Sequence, residues 1–207
     1  MIVRILENGQ FGGFFTREVS PDWTTTQVIE NAGPHSIWNG SNWILNQNAA
    51  DAVAVQAILD ALQRTVCDLR HKAMCIAIEK QGDEAYINAQ RELYEIKAEL
   101  AEMAVLPSDI QASWESEAAE LAMSFGLPSL TVEEFKLIIL GKFTWGDNYY
   151  KREATPRIER ARTKIQTLAE EFRIDEAHQA LIIMPGVIDP VSGESALQQL
   201  VALGDLN

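Results

Sequence analysis

Between positions 55 and 76, apolar residues recur at alternating steps of four and three: Val55, Leu59, Leu62, Val66, Leu69, Ala73 and Ile76. A heptad seam of this kind lies along one face of a helix and must be covered by another helix. Gly82 then offers a helix stop and Asp83 a cap for the next helix. Tyr86, Ala89, Leu93, Ile96, Leu100 and Met103 carry the same alternation onward. Two helices joined by so short a turn lie antiparallel, so the pattern predicts a long helical hairpin over about residues 50–104.

The residues before the seam read as strands. In "VRILENGQFGGFF", Asn8-Gly9 is flanked by apolar residues, a strong hairpin signal. A two-residue turn there sets Leu6 opposite Phe11 and Val3 opposite Phe14, with Gly12 and Gly13 allowing a bulge. In "SIWNGSNWIL", a two-residue turn would face Trp38 with Ser41. A four-residue loop, Asn39 to Asn42, faces Trp38 with Trp43 and Ile37 with Ile44, and matches like with like on both faces. The tryptophans are then either the core of a β-module too short to bury much, or an aromatic contact for another protein.

Beyond the hairpin, Ser108 or Asp109 caps a third helix through about Phe125, ended by Gly126 and Pro128. "LTVEEF" holds a capping box, with Thr131 as cap and Glu134 three residues on, and its helix is expected to reach about Leu140. "GKFTWGDNYY" is expected to interrupt it, and Thr155-Pro156 to start the next helix as cap and first-turn proline. Ile158, Ala161, Ile165, Leu168 and Phe172 form another seam, followed by a short helix around 175–183 and a last one from Pro190 to about Leu203. "GDEAYINAQRELYEIKAELAEM" and "GDNYYKREATPRIERARTKIQTLAEEF" echo one another, which is a reuse of hairpin grammar rather than a duplication. The expected class is α+β, mostly α: a small N-terminal antiparallel β-module over 1–48, a heptad-patterned helical hairpin over 49–106, and a C-terminal helical domain over 107–207.

The balance of 17 Lys and Arg against 30 Asp and Glu gives a net charge of -13. Nucleic acid is therefore a poor partner, and so is an anionic membrane surface. A basic protein partner is compatible with it. No apolar run approaches the length of a membrane span, and "MIVRILENG" lacks the apolar stretch of a secretory signal, so the expected place is the cytoplasm or an assembly built there. Cys67, His71 and Cys75 have an i, i+4, i+8 spacing that resembles a metal site, but about 12 Å of helix separates the cysteines, too far for one ion. No metal or other cofactor is expected. Glu115, Glu117, Glu120, Glu133, Glu134, Glu170 and Glu171 supply carboxylates, yet glycosidic hydrolysis needs two that converge across a cleft. Gly12-Gly13 lacks the residues of a phosphate loop, and His35, His71 and His178 have no triad context. "FTWGDNYY" places four aromatics in eight positions at the expected turn, suited to a sugar, to a partner protein, or to plugging the end of the helical hairpin.

Trp38-Asn39-Gly40 with Trp43, followed by the charged helix "AQRELYEIKAELAEM", resembles small tail-fibre assembly proteins and related tail accessory proteins of tailed bacteriophages over residues 1–104. The resemblance implies binding to a tail-fibre or baseplate protein without catalysis, in the virion tail or in the host cytoplasm during assembly. Self-association through the seams is a further expectation. The residues expected to meet a partner are Trp38, Trp43, Trp145, Tyr149 and Tyr150. The alternatives are a small helical hydrolase such as a cell-wall-degrading enzyme, working through two of the carboxylates, and a bacterial cytoplasmic adaptor.

Overall fold

A computed structural model describes residues 2–6, 10–15, 24–26, 36–38, 40–41, 43–45 and 47–203. The chain is mostly helical. Two compact units divide it, one made of Met1–Ala61 and Gln166–His178, the other of Leu62–Ile165 and Gln179–Asn207.

In the first unit, strands β1 (Ile2–Ile5), β2 (Phe11–Phe15) and β3 (Thr24–Thr26) pair antiparallel in the order β2-β1-β3, and β4 (Ser36–Trp38) pairs with β5 (Trp43–Leu45). Trp38 stands opposite Trp43 and Ile37 opposite Ile44, the register that matches like with like. Val3 stands opposite Phe14 as expected, but Phe11 meets Ile5 rather than Leu6. The register slips because Gly12 and Gly13 occupy β2 where β1 has Arg4 alone. The turn at Asn8-Gly9, and Asn39 and Asn42 of the second loop, lie outside the described residues. A self-contained β-module over 1–48 is not supported. The strands are three to five residues long and split between two sheets, and their compact unit runs on to Ala61 and takes in 166–178.

Helix α1 (Gln47–Ala77) carries the first seam: Leu62, Val66, Leu69 and Ala73 are buried and Val55, Leu59 and Ile76 half-buried. It stops earlier than Gly82. Glu79 takes the left-handed conformation at φ 54°, its N–H bonding to Ile76 O and the Lys80 N–H to Cys75 O. Asp83 caps α2 (Glu84–Glu102) by accepting from the Tyr86 N–H at 2.8 Å.

The second seam is a correction. Tyr86, Ala89, Leu93, Ile96 and Met103 are exposed. The buried row runs one or two positions along, through Ile87, half-buried Tyr94, Ala98 and Ala101, and α2 packs on α4 (Val132–Asn148). Two alanines on that row allow close helix approach, a gain that spacing alone does not reveal. The pair is antiparallel: the buried Lys136 near the start of α4 donates from Nζ to the Met103 carbonyl that ends α2, at 3.1 Å. α3 (Ser108–Ser124) adds Trp114 and Ala118 to a core with Ala101, Leu106, Phe135 and Ile139, and Trp114 meets Phe135 edge-on at 5.7 Å. The Thr131–Glu134 capping box opens α4 as expected.

The break expected at "GKFTWGDNYY" does not occur. α4 passes through a π-helical segment, Tyr149–Ala154, directly into α5 (Thr155–Glu170). Pro156 has no N–H to give the carbonyl four residues back and its ring would clash there. The wider π turn, in which the Thr155 N–H bonds to Tyr150 O, makes room for it. Thr155 is therefore no cap, and its Oγ1 is buried without a hydrogen-bond partner among the described residues. On α5, Ile158, Ala161, Ile165 and Leu168 are buried, but Phe172 is exposed and left-handed at φ 57°, ending the helix instead of extending its seam. α6 (Ile174–Ile183), a 3-10 turn (Met184–Ile188) and α7 (Gly193–Val201) follow.

Two glycines of α4 differ sharply in surroundings. A Cβ on Gly146 would lie 2.3 Å from the Ala77 carbonyl oxygen, so α4 meets the end of α1 at backbone distance, whereas a Cβ on Gly141 meets nothing. Gly141→Ala should raise stability by up to about 1 kcal/mol through helix propensity. Gly146→Ala gains the same propensity but must push backbone apart, and should lose about 1–3 kcal/mol net. Urea denaturation of both variants checks the opposite signs.

Candidate functional site

Of the sequence-selected aromatics, Trp43 and Tyr149 are buried. Trp43 is buried in the first unit, opposite Trp38 across the β4–β5 pair. In the second unit Trp145 lies in the last turn of α4 and Tyr149 and Tyr150 open the π segment. Tyr149 is 2% exposed and donates its hydroxyl to the Ile188 carbonyl. Burial pushes that hydroxyl's pKa up to about 12, helped by the Asp189 and Glu153 carboxylates and opposed by the Arg157 guanidinium.

Asp189, next in the chain, fixes the turn that follows. Its carboxylate accepts from the Val191 and Ser192 N–H groups and from Ser192 Oγ, bonds that hold it below the usual carboxylate range. The Tyr149 ring stacks on Trp145 with centroids 5.6 Å apart and planes 8° from parallel. Trp145 is thus pinned on one face and 45% exposed.

Trp145 and Tyr150 line a groove of about 560 Å³, open solvent at its mouth included. The end of α1 supplies Met74, Ala77, Ile78 and Glu79, and α2 supplies Arg91, Tyr94 and Glu95. Lys142, Phe143, Gly146, Asp147 and Lys151 complete it. Three ion pairs ring it: Lys142–Glu79 at 2.7 Å, Arg91–Glu95 at 3.0 Å and Lys151–Asp147 at 2.6 Å. All are well exposed, so they contribute little to stability. Sequence reading missed these residues. The signal available was two opposite-charge pairs at i, i+4, Arg91/Glu95 and Asp147/Lys151, each beside an aromatic residue.

Tyr94 and Lys142 also border a second depression of about 840 Å³, solvent again included, between α2, α3 and α4. Leu93, Leu121, Phe135, Ile138 and Ile139 give it an apolar lining, with Lys80, Lys97 and Glu117 among its polar residues. Leu93 and Ile96, the exposed seam residues of α2, are each 52% exposed.

The other candidates have local roles. The carbonyl of Gly82 can only accept, so His71 Nε2 carries the proton and donates to it at 3.0 Å. Cys75 is buried with Sγ 3.6 Å from that nitrogen, Cys67 is exposed, and His178 is exposed in the other unit. His35 lies outside the described residues.

Glu117 pairs with Lys97, Glu133 with Lys136 and Glu171 with Arg173, while Glu115 and Glu170 accept from Gln111 and Gln166. Glu134 serves the capping box, whose backbone hydrogen bond from Thr131 holds its pKa below the usual value, and Glu120 is exposed. Among the described residues no three His, Cys, Asp or Glu side chains are placed to hold a metal ion, and no helix is long and apolar enough to cross a membrane.

The Tyr149 anchor has a measurable pH signature. The folded chain keeps the phenolic proton more tightly than the unfolded chain, whose tyrosines titrate near 10. Its contribution is therefore complete below about pH 10 and is lost as the pH climbs toward about 12. Tyr149→Phe should cost about 1–3 kcal/mol at neutral pH by leaving the Ile188 carbonyl without its donor. It should also flatten the alkaline fall in stability between about pH 10 and 12, which parallel denaturation series of the two proteins would show. No protein-family model, curated protein or solved structure matches the chain.

Proposed function

We propose that this chain is a non-enzymatic protein of the phage tail, a structural component or an assembly helper, which binds a helical segment of a tail-fibre or baseplate subunit. The observation that carries the reading is the heptad row on α2, whose Leu93 and Ile96 stand half in water. A seam of that spacing is built to meet another helix, and the apolar depression beside it offers a helix-in-groove seat. The resemblance of residues 1–104 supplies the class of partner. The short strands with their facing tryptophans belong to the same reading, as the part that presents the chain to its assembly. Of the candidate carboxylates, Glu117, Glu133 and Glu171 are in ion pairs, Glu134 is in a cap and Glu115 and Glu170 accept from glutamines, so nothing here favours the hydrolase over a binding role.

Leu93→Glu with Ile96→Glu should leave the helical content unchanged, since both side chains are exposed. The double variant should weaken co-purification with the fibre or baseplate subunit about a hundredfold or more, at roughly 1.5 kcal/mol for each apolar side chain taken out of the interface. Mass spectrometry of purified virions separates component from helper. Absence from virions, together with no complex with either subunit, would sink the reading.

A further inference from the structure

We propose that the groove beside Trp145 binds a neutral sugar ring, stacked on the open face of the indole and hydrogen-bonded by the ion-paired side chains around it. This goes beyond the protein partner, which is assigned to the exposed row of α2.

The platform is ready-made. Tyr149 covers one face of Trp145 at 5.6 Å, and its own hydroxyl is tied to Ile188, so little side-chain freedom is left to lose when a ligand covers the other face. A pyranose presents C–H bonds on its flat face and hydroxyls at its edge. The first suits an indole, and the second needs acceptors and donors side by side.

The three ion pairs supply that combination: each places a carboxylate 2.6–3.0 Å from an ammonium or guanidinium group. A hydroxyl can donate to one member and accept from the other without separating them. A charged ligand would have to break a pair, because each of these cations already has its carboxylate. The rim is therefore neutral on a chain that carries -13 overall, which selects an uncharged ligand.

Titration of the full chain with maltotriose, chitotriose, mannotriose and galactotriose, followed by calorimetry and by saturation transfer in the sugar's NMR spectrum, tests the proposal. Sialyllactose and a proline-rich decapeptide serve as competitors of other chemistry. At least one neutral trisaccharide should bind with a dissociation constant on the order of 1 mM or tighter. Trp145→Ala should weaken it by about tenfold or more and Trp145→Phe by less. Asp147→Asn and Arg91→Gln, at half-buried helix positions, should each weaken it with unchanged circular dichroism, and they carry the test if Trp145→Ala misfolds. The proposal is overturned if none of the four sugars binds. It is equally overturned if sialyllactose or the peptide binds in preference, or if binding survives Asp147→Asn and Arg91→Gln undiminished.

Discussion

The second unit depends on how a helix gets past a proline. Pro156 removes one backbone donor and places its ring against the preceding turn, conditions that usually kink or end a helix. Here the turn before it widens into the π segment of Tyr149–Ala154, and the helix continues from Val132 to Glu170. Everything near the groove follows from that continuity. Trp145 and Asp147 come from the last turns of α4, Tyr150 and Lys151 from the π segment, and Tyr149 between them reaches inward to Ile188. A break at 141–150 would have put these side chains on a loop, with no stacked ring behind the indole.

Much of the helical architecture was legible. Asp83 and the Thr131–Glu134 box announce helix starts because their side chains satisfy backbone N–H groups locally, with no help from tertiary packing. The β4–β5 register was legible for the same kind of reason, since only one loop length pairs tryptophan with tryptophan. What failed was any inference needing to know the neighbour. The α2 row through Leu93 and Ile96 looks like the better seam on hydrophobicity, yet the row with Ala98 and Ala101 is buried because it lets α4 come close. Gly146, Asp147 and Asn148 spell a turn by local preference, and burial of Gly146 against Ala77 overrides it.

The site was legible in part. "FTWGDNYY" held three of the groove's aromatics, Phe143, Trp145 and Tyr150, but the reading could not foresee that Tyr149 would point inward while its neighbour Tyr150 lines the groove. The α1 and α2 walls were invisible because they depend on three segments, around residues 77, 94 and 146, meeting in space. Glu79 shows the difficulty best. As a charged residue it signals a solvated surface, whereas in the fold it ends α1 in a left-handed conformation and reaches Lys142 on another helix.

The wide turn also sets the phase of the long helix. Buried positions step from Gly146 to Tyr149, then by five to Ala154, and then by four and three to Ile158 and Ala161. That one long stride acts as a spare residue, advancing the chain by about 100° without moving the buried stripe off its line. Losing one residue between 149 and 154 would shorten that stride to four and leave a plain helix with Ile158, Ala161 and Ile165 still on the buried line, whereas losing one elsewhere in the helix would rotate all that follows by about 100°. The wide turn is therefore the one stretch of this helix where a change in length by one residue leaves the buried stripe in place.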